Sequence, residues 1–494
     1  MATETATKAV TGKTYQLIIN GEPVEPKTGE TFERRNPANG ENVATCPKAG
    51  PEDTDAAIQA ARNAFDSGAW SKAPARQRAE VLRKTANKVR EEHDYLARLL
   101  ASEVGKPLSE AGMEIAMTAD VFDYYAGLAL DVKGQVVSNY VDDAIGLILK
   151  EPVGVVGIIT PWNFPILLAT WKVAPALAVG CTIVLKPASY TPCTTYELGR
   201  IINEAGCPAG VVNVITGAAA DTGARLAASD LVDKIAFTGS TEVGREVMRA
   251  AAGNVKKISL ELGGKSPNII FSDANLQSAV IGSLFGIYLN AGQVCQAGSR
   301  ILVQEDVHDQ FLSMFVNFTS GLKVGDPMDA QTRMGPLVSE QQLKTVESYV
   351  DSGKQEKATL VKGGSRLSGG EFDKGYFYEP TIFDQVDNAM KIAQEEIFGP
   401  VLTVIPFKDA KEALRIANDT MYGLAAAVWT SDINMAFKFA KGIKAGSVFV
   451  NCYHTAGIPQ MPFGGYKQSG IGRELGQEGM ALFMETKSVS IKLS

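Results

Sequence analysis

The fold is decided by the stretch Val153-Gly154-Val155-Val156-Gly157-Ile158-Ile159-Thr160-Pro161-Trp162-Asn163-Phe164-Pro165. From Val153 to Trp171 the chain carries no charge, a run long enough to cross a bilayer. Pro161, Asn163, Pro165 and two glycines would break a spanning helix, so the run reads instead as a buried strand, a loop and the start of a helix. Four more short apolar runs follow: Thr182–Leu185, Val211–Ile215, Lys234–Phe237 and Ile258–Leu260. Helical stretches such as Thr194–Glu204 lie between them. Strands alternating with helices imply a parallel sheet and an α/β fold.

The 494 residues exceed what one core usually supports, so two domains with smaller additions are expected. A hydrophobic content of 45% with 48 glycines fits a soluble α/β protein with many tight turns. The net charge of −7 is wrong for a nucleic-acid partner, which needs a basic face. Cys46, Cys181, Cys193, Cys207, Cys295 and Cys452 show no CxxC spacing, and histidine occurs only at 93, 308 and 454. No cysteine/histidine metal site is expected, and a reducing cytoplasm is the expected location. The polar stretch from Met1 to Lys13 lacks the apolar centre of a secretion signal.

Around the sheet the chain is punctuated clearly. Gln16-Leu17-Ile18-Ile19 followed by Asn20-Gly21 reads as a strand and tight hairpin turn. A helix is expected over Thr54–Phe65, capped by Asp53 or Thr54. Another starts near Ala75, and Gly105-Lys106-Pro107 ends it or its successor. None of these segments carries chemistry on sequence grounds. The alternating Val489-Ser490-Ile491-Lys492-Leu493 suits a sheet edge, in this or a neighbouring subunit.

Chemistry enters with Asn290-Ala291-Gly292-Gln293-Val294-Cys295-Gln296-Ala297-Gly298-Ser299-Arg300. Small and amide neighbours leave room for a carbonyl carbon to approach the sulfur, whose thiolate is the reactive form. Thirty-four residues upstream stands Glu261, within Leu260-Glu261-Leu262-Gly263-Gly264-Lys265-Ser266-Pro267. The two segments, at this spacing, resemble the aldehyde dehydrogenase superfamily. The resemblance runs over nearly the whole chain and includes Pro462-Phe463-Gly464-Gly465-Tyr466-Lys467-Gln468-Ser469-Gly470.

That resemblance implies a Rossmann-like cofactor domain (1–140 and 160–262), an α/β catalytic domain (263–475) and a β-arm for oligomerisation (141–159 and 476–494). It also implies NAD or NADP, a homodimer or homotetramer, and no metal. Cys295 is then the nucleophile, Glu261 the base for water and Asn163 the donor to the developing oxyanion, with Lys172 and Glu474 as a proton relay. Ile159, Thr160, Pro161, Trp162, Gly239, Ser240, Gly244 and Leu262 fall to the cofactor, with Lys186 at its adenosine ribose. Glu396 and Phe398 fall beside the nicotinamide ribose and ring. Where NAD-preferring relatives carry a glutamate three residues after the lysine, this chain has Ser189. Loss of that carboxylate removes repulsion of a 2′-phosphate, so NADP is expected to be accepted.

Met117, Phe164, Leu167, Leu168, Trp171, Tyr453, His454, Thr455 and Phe463 are expected to line the substrate tunnel. Most are apolar and none is basic, which favours uncharged aliphatic or aromatic aldehydes over an anionic semialdehyde. A semialdehyde- or betaine-type enzyme is the alternative. A coenzyme A-acylating relative would not need Glu261. A catalytically retired structural member would be expected to lose Cys295, Glu261 or Asn163, and all three are present.

Overall fold

The computed structural model describes residues 10–138, 142–453 and 457–493. Two large sheets dominate it. In the eight-stranded sheet the five parallel strands stand in the order Val212–Val214, Thr182–Lys186, Val155–Ile159, Lys234–Thr238, Lys257–Glu261. Numbered along the chain this is 3-2-1-4-5, the doubly wound order. Its switch point lies between Val155–Ile159 and Lys234–Thr238, where ligands bind beyond the carboxyl ends of the strands.

The strands are apolar throughout because helices cover the sheet: all five residues of Val155–Ile159 and of Thr182–Lys186 are buried. The expected hairpin forms between Leu17–Ile19 and Glu22–Val24, with both turn residues at positive φ, Asn20 at 56° and Gly21 at 82°. It extends the sheet antiparallel from Val212–Val214, and Gly470–Ile471 closes the other edge on Leu260 and Glu261.

The second sheet has seven strands, built around Arg300–Gln304 and Pro267–Ile270. Six are parallel, and only the edge strand Thr359–Lys362 runs against its neighbour. A third, antiparallel sheet joins Gln135–Ser138, Ala144–Pro152 and Met484–Lys492, the last two in unbroken register from Met484↔Pro152 to Lys492↔Ala144. The C-terminal strand therefore pairs within its own chain. The arm is also smaller than expected: Val155–Ile159 is a central strand of the large sheet, and the helix Gly476–Ala481 packs against the helix Pro165–Val179.

Helix boundaries move by a few residues for local reasons. The first long helix spans Pro51–Ser67, one turn earlier than expected, because Pro51 is preorganised for a first helical position and Asp53 accepts the N–H of Gly50 at 2.9 Å. Gly105, at φ 92°, ends the helix His93–Val104 rather than the one from Ala75. Among the described residues no helix is long and apolar enough to cross a membrane. The uncharged run from Val153 resolves into strand, loop and helix, as read.

Helix Cys193–Glu204 has no side-chain cap of its own. Its first amides, those of Cys193 and Thr194, are taken at 2.8 and 3.0 Å by the buried carboxylate of Glu103 from another helix. Replacing Glu103 by leucine strands two buried N–H groups, so Glu103→Leu is expected to destabilise the protein by about 2–4 kcal/mol. Thermal or urea unfolding checks this, and an unchanged midpoint contradicts it.

Candidate active site

The two large sheets meet along the segment that leads from Glu261, through Gly263 and Gly264, to Pro267. A Cβ on Gly263 would lie 2.3 Å from Oε2 of Glu396, and one on Gly264 would lie 2.4 Å from the carbonyl oxygen of Cys295. The glycine pair is thus a space requirement: the two backbones and the Glu396 carboxylate approach too closely for any side chain. Gly264 N–H donates to Glu396 Oε1 at 3.0 Å and fixes it there.

Cys295 stands just before the strand Arg300–Gln304, after a turn in which Asn290 and Ala291 adopt positive φ of 49° and 53°. Of the six free cysteines, Cys46, Cys181, Cys193 and Cys207 are buried, whereas Cys295 and Cys452 are partly open. Burial pushes the Cys295 thiol well above its usual range, and the neighbouring Glu396 and Glu261 push the same way. The backbone N–H groups of Gln296 and of Cys295 itself face the sulfur and oppose that shift.

Glu261 ends its strand with both carboxylate oxygens buried and unpartnered. Burial raises its pKa well above the usual carboxylate range, Glu474 adds to this, and Lys172 and Arg473 oppose it. Lys172, on the helix Pro165–Val179, pairs with Glu474 at 2.6 Å. Asn163 is buried in the loop at the switch point and donates one amide N–H to the carbonyl of Gln293 at 2.9 Å. An amide has two N–H groups, so the second remains for a ligand.

A narrow, mostly apolar cavity has Cys295 in its wall, together with the expected Met117, Phe164, Leu167, Leu168, Trp171 and Phe463. Glu110, Met113, Glu114, Leu289, Val294 and Gln296 complete it. These were not legible as site residues. Tyr453 does not line the cavity. Its ring is buried against Gly286 and Gly298, and its hydroxyl donates to the carbonyl of Gln296 at 2.5 Å, so it braces the cysteine loop from behind. His454 and Thr455 lie outside the described residues.

The expected cofactor positions gather at the switch point. Ile159 and Thr238 end the two flanking strands, and Thr160, Pro161 and Trp162 follow the first. Gly239 and Ser240 open the helix Thr241–Ala251, with Ser240 Oγ capping the N–H of Val243 at 3.3 Å. Gly244 lets that helix seat on Leu262, whose side chain would lie 2.5 Å from a Cβ there. The hydroxyls of Thr160 and Thr238 are buried without a hydrogen-bond partner. Buried orphan donors at a helix N-terminus and a switch point suit a pyrophosphate.

Lys186 ends the adjacent strand, and burial alone lowers its pKa to about 8, with no carboxylate contributing. Exposed Ser189 donates to the carbonyl of Gly217 at 3.1 Å. On the far side of the site burial pushes Glu396 up to about 7, and the rings of Phe398 and Trp162 meet edge-to-face at 5.0 Å.

Known proteins place the chain. The aldehyde dehydrogenase family profile matches residues 24–489. A betaine aldehyde dehydrogenase of Bacillus subtilis is 46% identical over 473 residues, 96% of each chain. An aldehyde dehydrogenase of Alternaria alternata is 47% identical over 97% of this chain and 95% of its own. Among solved structures, betaine aldehyde dehydrogenase from Staphylococcus aureus in complex with NAD+ superposes with a TM-score of 0.96 at 44% identity, covering 97% of this chain and 95% of the other. An NAD-dependent aldehyde dehydrogenase from Sinorhizobium meliloti gives a TM-score of 0.96 at 42% identity, over 98% of this chain and 96% of the other. With its sheet order, its cysteine and its carboxylates in one site, this chain belongs to the aldehyde dehydrogenase family.

Proposed function

We propose that the protein oxidises an aldehyde to the carboxylic acid through Cys295, with NAD+ or NADP+ as hydride acceptor and water as the second reactant. The observation that carries this reading is Cys295 in the wall of an apolar cavity, with the unpartnered carboxylate of Glu261 close enough to raise its pKa and the Asn163 amide bonded to Gln293, two residues before the cysteine. The residues 10–138 and 155–262 form the cofactor part, 263–475 the catalytic part.

Cys295 must first lose its proton, and Glu261 is a base with both oxygens free to take it. As the sulfur adds to the carbonyl carbon, the oxygen gains negative charge between the second N–H of Asn163 and the N–H of Cys295. Glu396 and Phe398 would hold a nicotinamide beside that carbon, and the cofactor when bound would supply the hydride acceptor. Cys295 then carries the acyl group as a thioester. Glu261 takes a proton from water, which attacks the thioester, releases the acid and restores the cysteine. Lys172 and Glu474 pass the proton outward. A carboxylate with two free oxygens supports water rather than coenzyme A as the acyl acceptor.

The residues suit the cofactor. Helix Thr241–Ala251 with the Thr160 and Thr238 hydroxyls would hold the pyrophosphate, Lys186 the adenosine ribose and Glu396 the nicotinamide ribose. Ser189 leaves the adenosine end without a carboxylate, which supports use of NADP as well as NAD. The arm sheet leaves Val136, Val137, Leu149 and Ile491 exposed, which supports a homodimer or homotetramer. Six free thiols support a cytoplasmic location.

Among the described residues no lysine or arginine lines the cavity, which supports an uncharged aldehyde over an anionic one. A second reading, a quaternary ammonium aldehyde of the betaine type, is favoured by the Trp171–Phe463 pair at 5.0 Å with Phe164 and Glu110 in the same wall. Aromatic faces and a carboxylate together attract such a cation.

NAD+ and NADP+ reduction should both be abolished by Cys295→Ala. In the parent enzyme Lys186 is charged below about pH 8 and neutral above it. The kcat/KM for NADP+ should therefore fall as pH rises through about 8, while that for NAD+ changes less. Parallel profiles for the two cofactors would remove Lys186 from 2′-phosphate recognition. Turnover surviving in Cys295→Ala would remove the cysteine from the reaction. A separate comparison of betaine aldehyde with 3,3-dimethylbutanal, its uncharged equivalent in shape, decides the substrate. A preference for the cation that Glu110→Gln diminishes supports the betaine reading, and equal or better use of the uncharged compound supports the uncharged one.

A further inference from the structure

Lys106 falls in a segment that the sequence marks only as punctuation, yet the structure buries it completely beside the site. Its side chain has 0% relative exposure and that of its partner Glu114 1%. The ammonium group has three hydrogen-bond directions, and three neighbours receive them. Nζ lies 2.6 Å from Glu114 Oε2, 2.8 Å from the carbonyl oxygen of Asn163, and 3.7 Å from the centre of the Phe164 ring.

Glu114 uses its second oxygen on the same loop. Helix Pro165–Val179 has Phe164 at its N-cap and no side-chain cap. Oε1 of Glu114 accepts the N–H of Leu167 at 3.3 Å, serving as a cap from another helix. The pair therefore grips both ends of the short segment from Asn163 to Leu167. On the opposite side, the Asn163 carbonyl also accepts from Nδ2 of Asn290 at 3.0 Å, and the N–H of Asn290 donates to Glu110 Oε2 at 2.9 Å. Asn163 is thus held by its carbonyl between the helix Leu108–Leu128 and the turn that leads to Cys295.

We propose that the buried Lys106–Glu114 pair is the positioning device for Asn163, setting where its free amide N–H meets the developing oxyanion. This rests on the proposed role of Asn163 in the reaction. A buried ion pair adds little to stability compared with apolar residues of the same size, so stability alone gives weak reason for one here. A donor to an oxyanion, in contrast, must be held to a fraction of an ångström to act. Lys106 and Glu114 act through Asn163. They are positioning residues.

The test is a double-mutant cycle read by single-turnover hydride transfer from aldehyde to NAD+. Lys106→Met should slow that step on the order of 10- to 100-fold, below the roughly 100- to 1,000-fold expected for Asn163→Ala. The KM for NAD+ and the rate of Cys295 alkylation by iodoacetamide, a reaction without an oxyanion, should stay as in the parent. In the Asn163→Ala background Lys106→Met should cost less than about threefold more, because its effect runs through the missing amide. Lys106→Arg, which keeps a charge and donors, should recover part of the rate.

Fully additive losses in the cycle, or a fall in thermal stability with hydride transfer unchanged, would overturn the proposal. If Asn163→Ala itself left hydride transfer unaffected, the oxyanion role would fail first, which is a separate result. Should Lys106→Met not fold, Glu114→Gln keeps an oxygen for the Leu167 amide and removes the counter-charge. The same coupling to Asn163→Ala then decides.

Discussion

The site depends on the close approach permitted by Gly263 and Gly264. Here the last parallel strand of one sheet hands the chain to the first of the other, and the Glu396 carboxylate and the Cys295 carbonyl come within contact of the bare backbone. A side chain at Gly264 would collide with the backbone of Cys295, and one at Gly263 would displace the Glu396 carboxylate. Cys295 leads into the seven-stranded sheet, whereas Glu261 and Asn163 stand at strand ends of the eight-stranded one. The glycine pair is the joint that lets groups from both act on one carbon.

Electrostatics at this joint favours neutral forms. Glu261, Glu396 and Cys295 are all pushed upward by burial, and the two carboxylates raise the sulfur further by repulsion. At neutral pH the thiol holds its proton until a base removes it. Among the described residues Glu261 has no hydrogen-bond partner, which suits the base role proposed for it. Around these groups the other buried charges are paired, Lys172 with Glu474 and Lys106 with Glu114, each at 2.6 Å. The proposed reaction gives the two orphan carboxylate oxygens of Glu261 a use.

The parallel sheet and the hairpin at Asn20-Gly21 were legible because each has a local signature: an apolar run between turns announces a strand. Cys295, Glu261 and Asn163 were singled out only by the resemblance of their motifs to a family, since each alone reads as well as a packing cysteine, a surface carboxylate or a turn residue. Lys106, Glu110 and Glu114 were not legible. Their spacing on and before one helix looks like an ordinary solvated stripe, and only the packing of that helix against residues 163–167 buries it. Tyr453 failed for the opposite reason: neighbouring a loop in sequence does not set the direction of a ring, and the space left by Gly286 and Gly298 draws it away from the cavity. The arm boundary was misplaced because Val155–Ile159 continues almost directly from Ala144–Pro152, and no residue type marks the change of sheet.

In the proposed reaction the acyl group passes through Cys295 and leaves by attack of water that Glu261 activates. The most direct measurement is stopped-flow NADH formation with Glu261→Gln, joined to intact-mass analysis of the quenched protein. The expected result is NADH formation slowed by loss of the base for the thiol yet limited to about one per active site, little steady turnover, and an acyl adduct localised to Cys295. Steady turnover at the parent rate, or a burst with no adduct on Cys295, would contradict it.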